Sequence, residues 1–221
     1  MVAKKALAVA VALDQYEVVR GVSYDSGRHE EALVIYDSVL LYDKALLLQS
    51  GDYNPRSNMS LLGLQANRAS CLSKLGRHEE CLTTLREVYA SWMTIEETNP
   101  RAARDVLLMA LNLASALMDL NIGLFSEAKA LCSETHTKSR RLLGEEDDVT
   151  LGLRYSYAKS LVYNPAASLE ELRLGVAVLE KIERTALRVF GPSHPRVSGV
   201  RETLREARRL SERDAEPSHA A

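Results

Sequence analysis

Apolar and small residues return every three or four positions along most of this chain, the spacing that lines one face of a helix. Leu64 to Leu85 shows both the pattern and its interruption. Ala69, Leu72 and Leu75 keep helical register, Gly76 breaks it, and Cys81, Leu82 and Leu85 resume it. Glycine closes a helix in the left-handed conformation without a Cβ clash. The segment therefore reads as helix, tight turn, helix, which is one helical hairpin.

The hairpin recurs. Gly27-Arg28-His29-Glu30-Glu31-Ala32-Leu33 returns 49 residues later as Gly76-Arg77-His78-Glu79-Glu80-Cys81-Leu82. Gly123-Leu124-Phe125-Ser126-Glu127-Ala128 follows after 47 residues, and a weaker copy, Glu170-Glu171-Leu172-Arg173-Leu174-Gly175, after another 47. On the first-helix side, Asn67-Arg68-Ala69-Ser70-Cys71-Leu72 recurs as Asn112-Leu113-Ala114-Ser115-Ala116-Leu117 and, more loosely, as Ser156-Tyr157-Ala158-Lys159-Ser160-Leu161. The linkers Asn54-Pro55-Arg56, Asn99-Pro100-Arg101, Asp147-Asp148-Val149 and His194-Pro195-Arg196 are spaced by 45, 48 and 47. A fixed period of this size is the mark of a solenoid.

These residues resemble the tetratricopeptide repeat. Asn67-Arg68-Ala69 through Leu75-Gly76 to Glu79-Glu80-Cys81-Leu82 is similar to its helix A, turn, helix B consensus. Two later linkers resemble the kinesin-light-chain type of that repeat: Leu143-Gly144-Glu145-Glu146-Asp147-Asp148-Val149-Thr150-Leu151 and Phe190-Gly191-Pro192-Ser193-His194-Pro195-Arg196-Val197. The period exceeds the usual repeat of about 34 residues, so longer helices or loops are implied. The expected fold is an all-α, right-handed α-solenoid of about four antiparallel helix pairs plus a closing helix.

Expected helices run over about 3–24 and 28–49, 58–75 and 78–96, 102–121 and 124–143, 148–163 and 168–190, with a closing helix at 195–212. On residues 28–49, Ala32, Ile35, Val39, Tyr42 and Leu46 share one face. Ser50 to Arg56 reads as a loop marked by Gly51 and Pro55. Asn99 precedes a proline and so marks a boundary. The continuous repeat predicts one domain over 1–213, with repeats at about 3–50, 58–96, 102–143 and 148–190, and a flexible tail over 214–221. The start, Lys4-Lys5 followed by eight apolar residues from Ala6 to Leu13, mimics a short signal peptide. It continues through Tyr16, Val18 and Val19 without a clear processing site, and reads as the first solenoid helix.

Composition narrows the function. Among 221 residues, 28 basic and 30 acidic side chains give a net charge of −2, so no bulk field favours nucleic acid or an anionic membrane. Aromatics make up 5%, few for stacking single-stranded bases. No apolar run approaches the ~20 residues of a membrane span. The three cysteines, Cys71, Cys81 and Cys132, form no C-x-x-C pair, which argues against a zinc site and suits a reducing, cytoplasmic compartment. Cys81 stands where the other copies have Ala32, Ala128 and Gly175, a small packing position. In the closing helix Arg201, Arg205, Arg208, Arg209 and Arg213 alternate with Glu202, Glu206 and Glu212. That reads as a solvated face suited to the open end of a solenoid, with a nucleic-acid patch as the rival reading.

No catalytic constellation is present: no phosphate loop, no H-E-x-x-H, no G-x-S-x-G. Neither a metal nor a cofactor is expected. His29 and His78 share the repeat position that holds Phe125 and Leu172 in later copies, where the resemblance implies packing. His194 precedes Pro195 in a linker, and the resemblance accounts for it as turn chemistry. Glu30-Glu31 and Glu79-Glu80 fall in the first turn of a helix, where negative charge complements the dipole.

The remaining functional surface is the concave face of the solenoid. In the resembling family the first helix of each pair lines it and binds peptides. Counted from Ala69, Ala114 and Ala158, the inward positions are Ser70 and Lys74, Ser115 and Asp119, and Tyr155, Lys159 and Tyr163. Asn67 and Asn112 lie two before the small residue; the family uses such an Asn either to satisfy backbone groups or to touch ligand. Tyr155 and Tyr163 stand one turn either side of Lys159 on its face, and either touch ligand or pack within their own hairpin. Some family members clamp a chaperone's C-terminal carboxylate with two lysines, two asparagines and an arginine. Only Asn67 matches that set here, and a buried carboxylate without its charge partners is costly. The sequence thus predicts a non-enzymatic adaptor or scaffold that binds a protein or peptide in its groove. The alternatives are a nucleic-acid-binding helical repeat, or the interaction module of a larger enzyme or motor-associated protein.

Overall fold

The computed structural model describes residues 28–50, 55–119 and 122–213, and every regular element among them is helical. The helices are α1 (His29–Ser50), α2 (Pro55–Lys74), α3 (His78–Thr98), α4 (Ala103–Leu117), α5 (Phe125–Leu143), α6 (Asp148–Val162), α7 (Leu169–Phe190) and α8 (Pro195–Arg213). A short 3-10 turn, Pro100–Ala102, leads into α4. The expected helix over 3–24 and the tail 214–221 lie outside the described residues. The all-α expectation holds, with α2/α3, α4/α5 and α6/α7 as pairs and α8 closing.

The chain groups into two compact units, 1–102 and 103–221. In the first, α2 packs against α1 and α3. In the second, each helix packs on the next, and the first helices also meet one another, α4 on α6 and α6 on α8.

Turn chemistry explains the boundaries. At Gly76 (φ 75°) the Arg77 N–H donates to the Leu72 carbonyl at 2.9 Å and the Gly76 N–H to Ser73 at 3.1 Å. Those two bonds form the glycine-closed motif that satisfies the last carbonyls of a helix. Pro55, read from sequence as loop, is the first residue of α2, where its missing N–H would have had no partner. The expected helix over 102–121 stops at Leu117 instead. Ile122 and Gly123 both donate to the Asp119 carbonyl, at 2.9 and 2.8 Å, and Leu124 reaches back to Leu117 at 2.9 Å. The cause is visible in the repeat spacing. Ala69 to Gly76 is seven residues and Ala114 to Gly123 is nine, so two extra residues must be absorbed in a wider turn.

The two kinesin-light-chain-like linkers are built alike. Gly144 (φ 92°) and Gly191 (φ 80°) end α5 and α7. The Asp147 side chain then accepts from the Val149 N–H at 2.9 Å, and His194 Nδ1 accepts from the Arg196 N–H at 3.2 Å. Both side chains cap the following helix, which gives His194 its turn role. Ser168 and Glu171 form a reciprocal capping box at the start of α7.

The core sits where small residues let helices approach. Ala69, Ala114 and Ala158 on first helices are fully buried, as are Ala32 and Ala128 on second helices, with Cys81 nearly so. A Cβ on Gly175 would come within 2.9 Å of Val162 Cγ2 and 3.7 Å of the Ala158 carbonyl oxygen, so α6 and α7 touch there. Gly175→Ala and Val162→Ala are each expected to destabilise the chain in urea titrations. The double variant should cost less than the sum of the two, with a coupling of about 0.5–3 kcal/mol, because Val162→Ala removes the methyl that the new Cβ would strike.

Candidate functional site

The face that α6 turns toward α4 and α8 carries an open cleft of about 340 Å³, entirely within the second unit. Leu111, Asn112 and Ser115 of α4 form one side. Gly152, Tyr155, Ser156 and Lys159 of α6 cross it. Ile182, Ala186 and Phe190 of α7 supply apolar surface, with Arg196 and Val200 of α8 opposite α4. Gly152 keeps α6 close to α4 here: an added Cβ would lie 2.7 Å from Leu111 Cδ2, so the leucine side chain would have to move.

Lys159 is the chemical centre of this surface. Its Nζ lies 5.9 Å from the ring centroids of both Tyr155 and Tyr163, which flank it one turn away on each side. The side chain is half-buried, and no carboxylate pairs with it among the described residues. Burial holds its pKa below the ordinary lysine value. Ring faces attract a cation, yet contribute only about 0.5–2 kcal/mol each and leave the charge unneutralised. The ammonium therefore has no counter-charge among the described residues.

Tyr155 is fixed from across the cleft. Its hydroxyl shares a hydrogen bond with Thr203 Oγ1 at 2.8 Å and lies 3.2 Å from the Gly199 carbonyl oxygen. The ring thus ties α6 to α8 rather than packing only within its own hairpin. Tyr163 packs against the same core of α6, α7 and α8, and its hydroxyl has no partner among the described residues. Asn112 likewise makes no side-chain hydrogen bond among them, which leaves its amide open to the cleft. Ser115 Oγ donates to the Leu111 carbonyl at 3.1 Å.

The structure thus gathers Asn112, Ser115, Tyr155 and Lys159 in one place, with Tyr163 against Lys159. Asp119 lies in the turn after α4, outside the cleft walls. Asn67, Ser70 and Lys74 are exposed on α2, in the other unit. Phe190 and Arg196 escaped the sequence reading. Phe190 stacks on His194 at 4.7 Å, and Arg196 lies 5.7 Å from the Phe190 ring. Both belong to a linker whose residues looked like turn chemistry alone.

Several other charged groups are already paired. Arg201 pairs with Glu183, and Arg208 with Glu180, each at 2.8 Å, while Arg209 meets Glu206. Arg201 and Arg208 thus staple α8 to α7, while Arg209 pairs within α8. Arg28–Glu31 and Arg77–Glu80 form the same exposed pair in two repeats, and the arginine holds each glutamate below the usual carboxylate range. All three cysteines are buried and none forms a disulfide among the described residues, and burial pushes the Cys132 thiol up to about 12. Among the described residues no three metal-ligating side chains converge, and no helix is long and apolar enough to cross a membrane.

No protein-family model matches the chain, and no curated protein matches it. Solved structures do. A Podosopora anserina protein assigned to kinesin light chain, with nearly identical TPR-like repeats, matches at 20% identity and a TM-score of 0.65, over 90% of this chain and 86% of that one. A substituted form of that same protein matches at 20% identity and a TM-score of 0.66 over the same shares. BtubC (BKLC) from P. vanneervenii is 14% identical, with a TM-score of 0.48 over 98% of this chain and 96% of that one. The chain has the tetratricopeptide-like repeat fold of the kinesin-light-chain kind.

Two variants test the cleft's electrostatics and its strut. In the fold the charged form of Lys159 is disfavoured, so wild-type stability rises with pH from the depressed folded pKa up to the ordinary lysine value. Lys159→Met should therefore raise the melting temperature at neutral pH. Its advantage should shrink as alkaline pH discharges the wild-type lysine. Tyr155→Phe should cost about 0.5–1.5 kcal/mol through the lost hydrogen bond, whereas Tyr163→Phe should stay within about 0.5 kcal/mol. Thermal melts of the three variants between pH 7 and 10.5 give the comparison.

Proposed function

We propose that the chain is a non-enzymatic adaptor that binds a partner protein, and that the cleft of the second unit receives part of it. The segment bound is a short extended or helical peptide carrying an acidic residue beside an apolar anchor. One observation carries this reading: a half-buried ammonium, held between two tyrosine rings, has no carboxylate of its own among the described residues. An acidic side chain neutralises Lys159, and the partly exposed Leu111 and Phe190 offer apolar contact beside it. The Asn112 amide has both a donor and an acceptor for a peptide backbone. Tyr155 and Tyr163 give rigid contact area, with Tyr163 presenting the unengaged hydroxyl. Ser115 and Asp119 belong to the same proposal, while Asn67, Ser70 and Lys74, on α2 of the first unit, are proposed as peptide contacts of that unit by itself. The repeat fold supports a protein-interaction role in general. A cytoplasmic site of action is proposed from the odd, sparse count of three cysteines, which suits a reducing compartment.

Comparative capture tests the reading. Nuclease-treated lysate is passed over wild type, Lys159→Glu and Arg208→Glu chains of matched helicity, and the bound proteins are quantified by mass spectrometry. Partners should be lost by about tenfold or more with Lys159→Glu, which replaces attraction by repulsion at a desolvated contact, and kept with Arg208→Glu. A captured set indifferent to Lys159→Glu, or one that vanishes with nuclease, sinks the proposal.

A further inference from the structure

The walls of the cleft hold two cations and no acidic residue. They are not equivalent. Arg196 Nη1 donates to the Asp148 carbonyl oxygen at 2.9 Å, and Nη2 lies 3.5 Å from Asp148 Oδ2. Its plane also lies near the Phe190 ring. Asp148 is itself held by Arg104 at 3.0 Å, so this carboxylate serves as the bridge between two first helices. Taking Arg196 for a ligand would leave that bridge one partner short. Lys159 has no such commitment among the described residues. The cleft therefore offers one uncommitted positive charge. Among the neutral groups, Ser115 Oγ already donates within α4 and the Tyr155 hydroxyl is engaged with α8, while the Asn112 amide and the Tyr163 hydroxyl offer uncharged donors and no second positive charge.

From this charge count we infer that the cleft selects singly charged acids, a carboxylate on an apolar stem, and rejects a phosphate in the same place. The inference rests on the proposed binding role of this cleft and specifies the chemistry it accepts. A carboxylate and the Lys159 ammonium leave a neutral pair in a half-buried site. A phosphate monoester carries close to two charges at pH 7.4, since its second pKa is about 6. One ammonium leaves the second charge desolvated and unpaired, and an unpaired buried charge is strongly disfavoured. Sites that take phosphate add an arginine fork or several donors, and the one arginine here is spent on Asp148. A partner segment would then be read through Glu or Asp, and a segment with a phosphoserine in that place would not be accepted.

The test uses small probes and the full chain. Ile182 lines the cleft and is one of four isoleucines, at 35, 95, 122 and 182, so a chain labelled at isoleucine methyl groups reports on it directly. Hexanoate, hexanesulfonate, hexyl phosphate and hexanol are titrated at pH 7.4 while the Ile182 methyl signal is followed. Hexanoate and hexanesulfonate, each with one charge, should bind about tenfold more tightly than hexyl phosphate or hexanol. Lys159→Met should bring hexanoate down to the level of hexanol. Hexyl phosphate binding as well as hexanoate would overturn the selectivity while leaving an anion-binding cleft. Rejection of hexanesulfonate together with phosphate would overturn the charge count. Equal binding of hexanoate and hexanol, or no shift of Ile182 with any probe, would overturn both this inference and the acidic-peptide reading beneath it.

Discussion

Everything in this molecule depends on the close approach of helices at small residues. Ala158 and Gly175 sit where α6 crosses α7, and there is no room at Gly175 for even one more carbon beside Val162. Interiors pack like crystals, so such crossings fix axial register and rotation together. Once Ala158 is pinned inward, the helical repeat decides what its neighbours face. Leu161 and Val162 enter the core, while Lys159, one position on, is turned toward the cleft. The same rule operates at Ala114, whose neighbour Ser115 points to the cleft from α4. The cleft is thus a by-product of core packing: the residues in its walls are aimed by buried alanines.

The linkers supply the second constraint. Asp147 caps α6 and His194 caps α8, each satisfying an N–H that the helix cannot pair by itself. Around these caps runs a chain of contacts between successive first helices: Arg104 to Asp147 and Asp148, then Asp148 to Arg196. Arg104, Asp148 and Arg196 are exposed enough that each pair alone contributes little stability. Their effect is geometric. They hold the starts of α4, α6 and α8 together at one end of the cleft, while Tyr155 and Thr203 join α6 to α8 farther along. A cleft braced at two levels keeps its walls in place without a ligand, which lowers the ordering cost of binding.

Much of this was legible in the chain. Repeat spacing exposed the helix pairs, because Gly76 and Gly123 mark turns that only glycine closes cheaply. The early end of α4 was legible too, in the two extra residues between Ala114 and Gly123, but glycine-to-glycine spacing conceals an insertion that the alanines reveal. Asn112, Ser115, Tyr155 and Lys159 could be found by counting from a small residue, since helical geometry carries that information. Phe190 and Arg196 could not. They reach the cleft because α7 and α8 fold back against α6, a long-range relation that no local period encodes. Nor could the sequence say that the Tyr155 hydroxyl would be occupied, because Thr203 lies 48 residues away.

Position by position, the repeat also isolates what is unusual about Lys159. Its equivalents are Ser70 on α2 and Ser115 on α4, both exposed and both small enough to cost the fold nothing. The third copy places a long cation at that position and encloses it with two aromatic rings four residues before and after. Packing does not require the charge. A methionine would cover the same rings and α7 surface without a desolvation penalty, and aliphatic stems of lysine ordinarily carry their ammonium out to water. Here the ammonium is kept back, its charged form disfavoured by burial. A half-buried cation in a braced cleft with no acid in its walls is the feature on which the proposed anion binding rests.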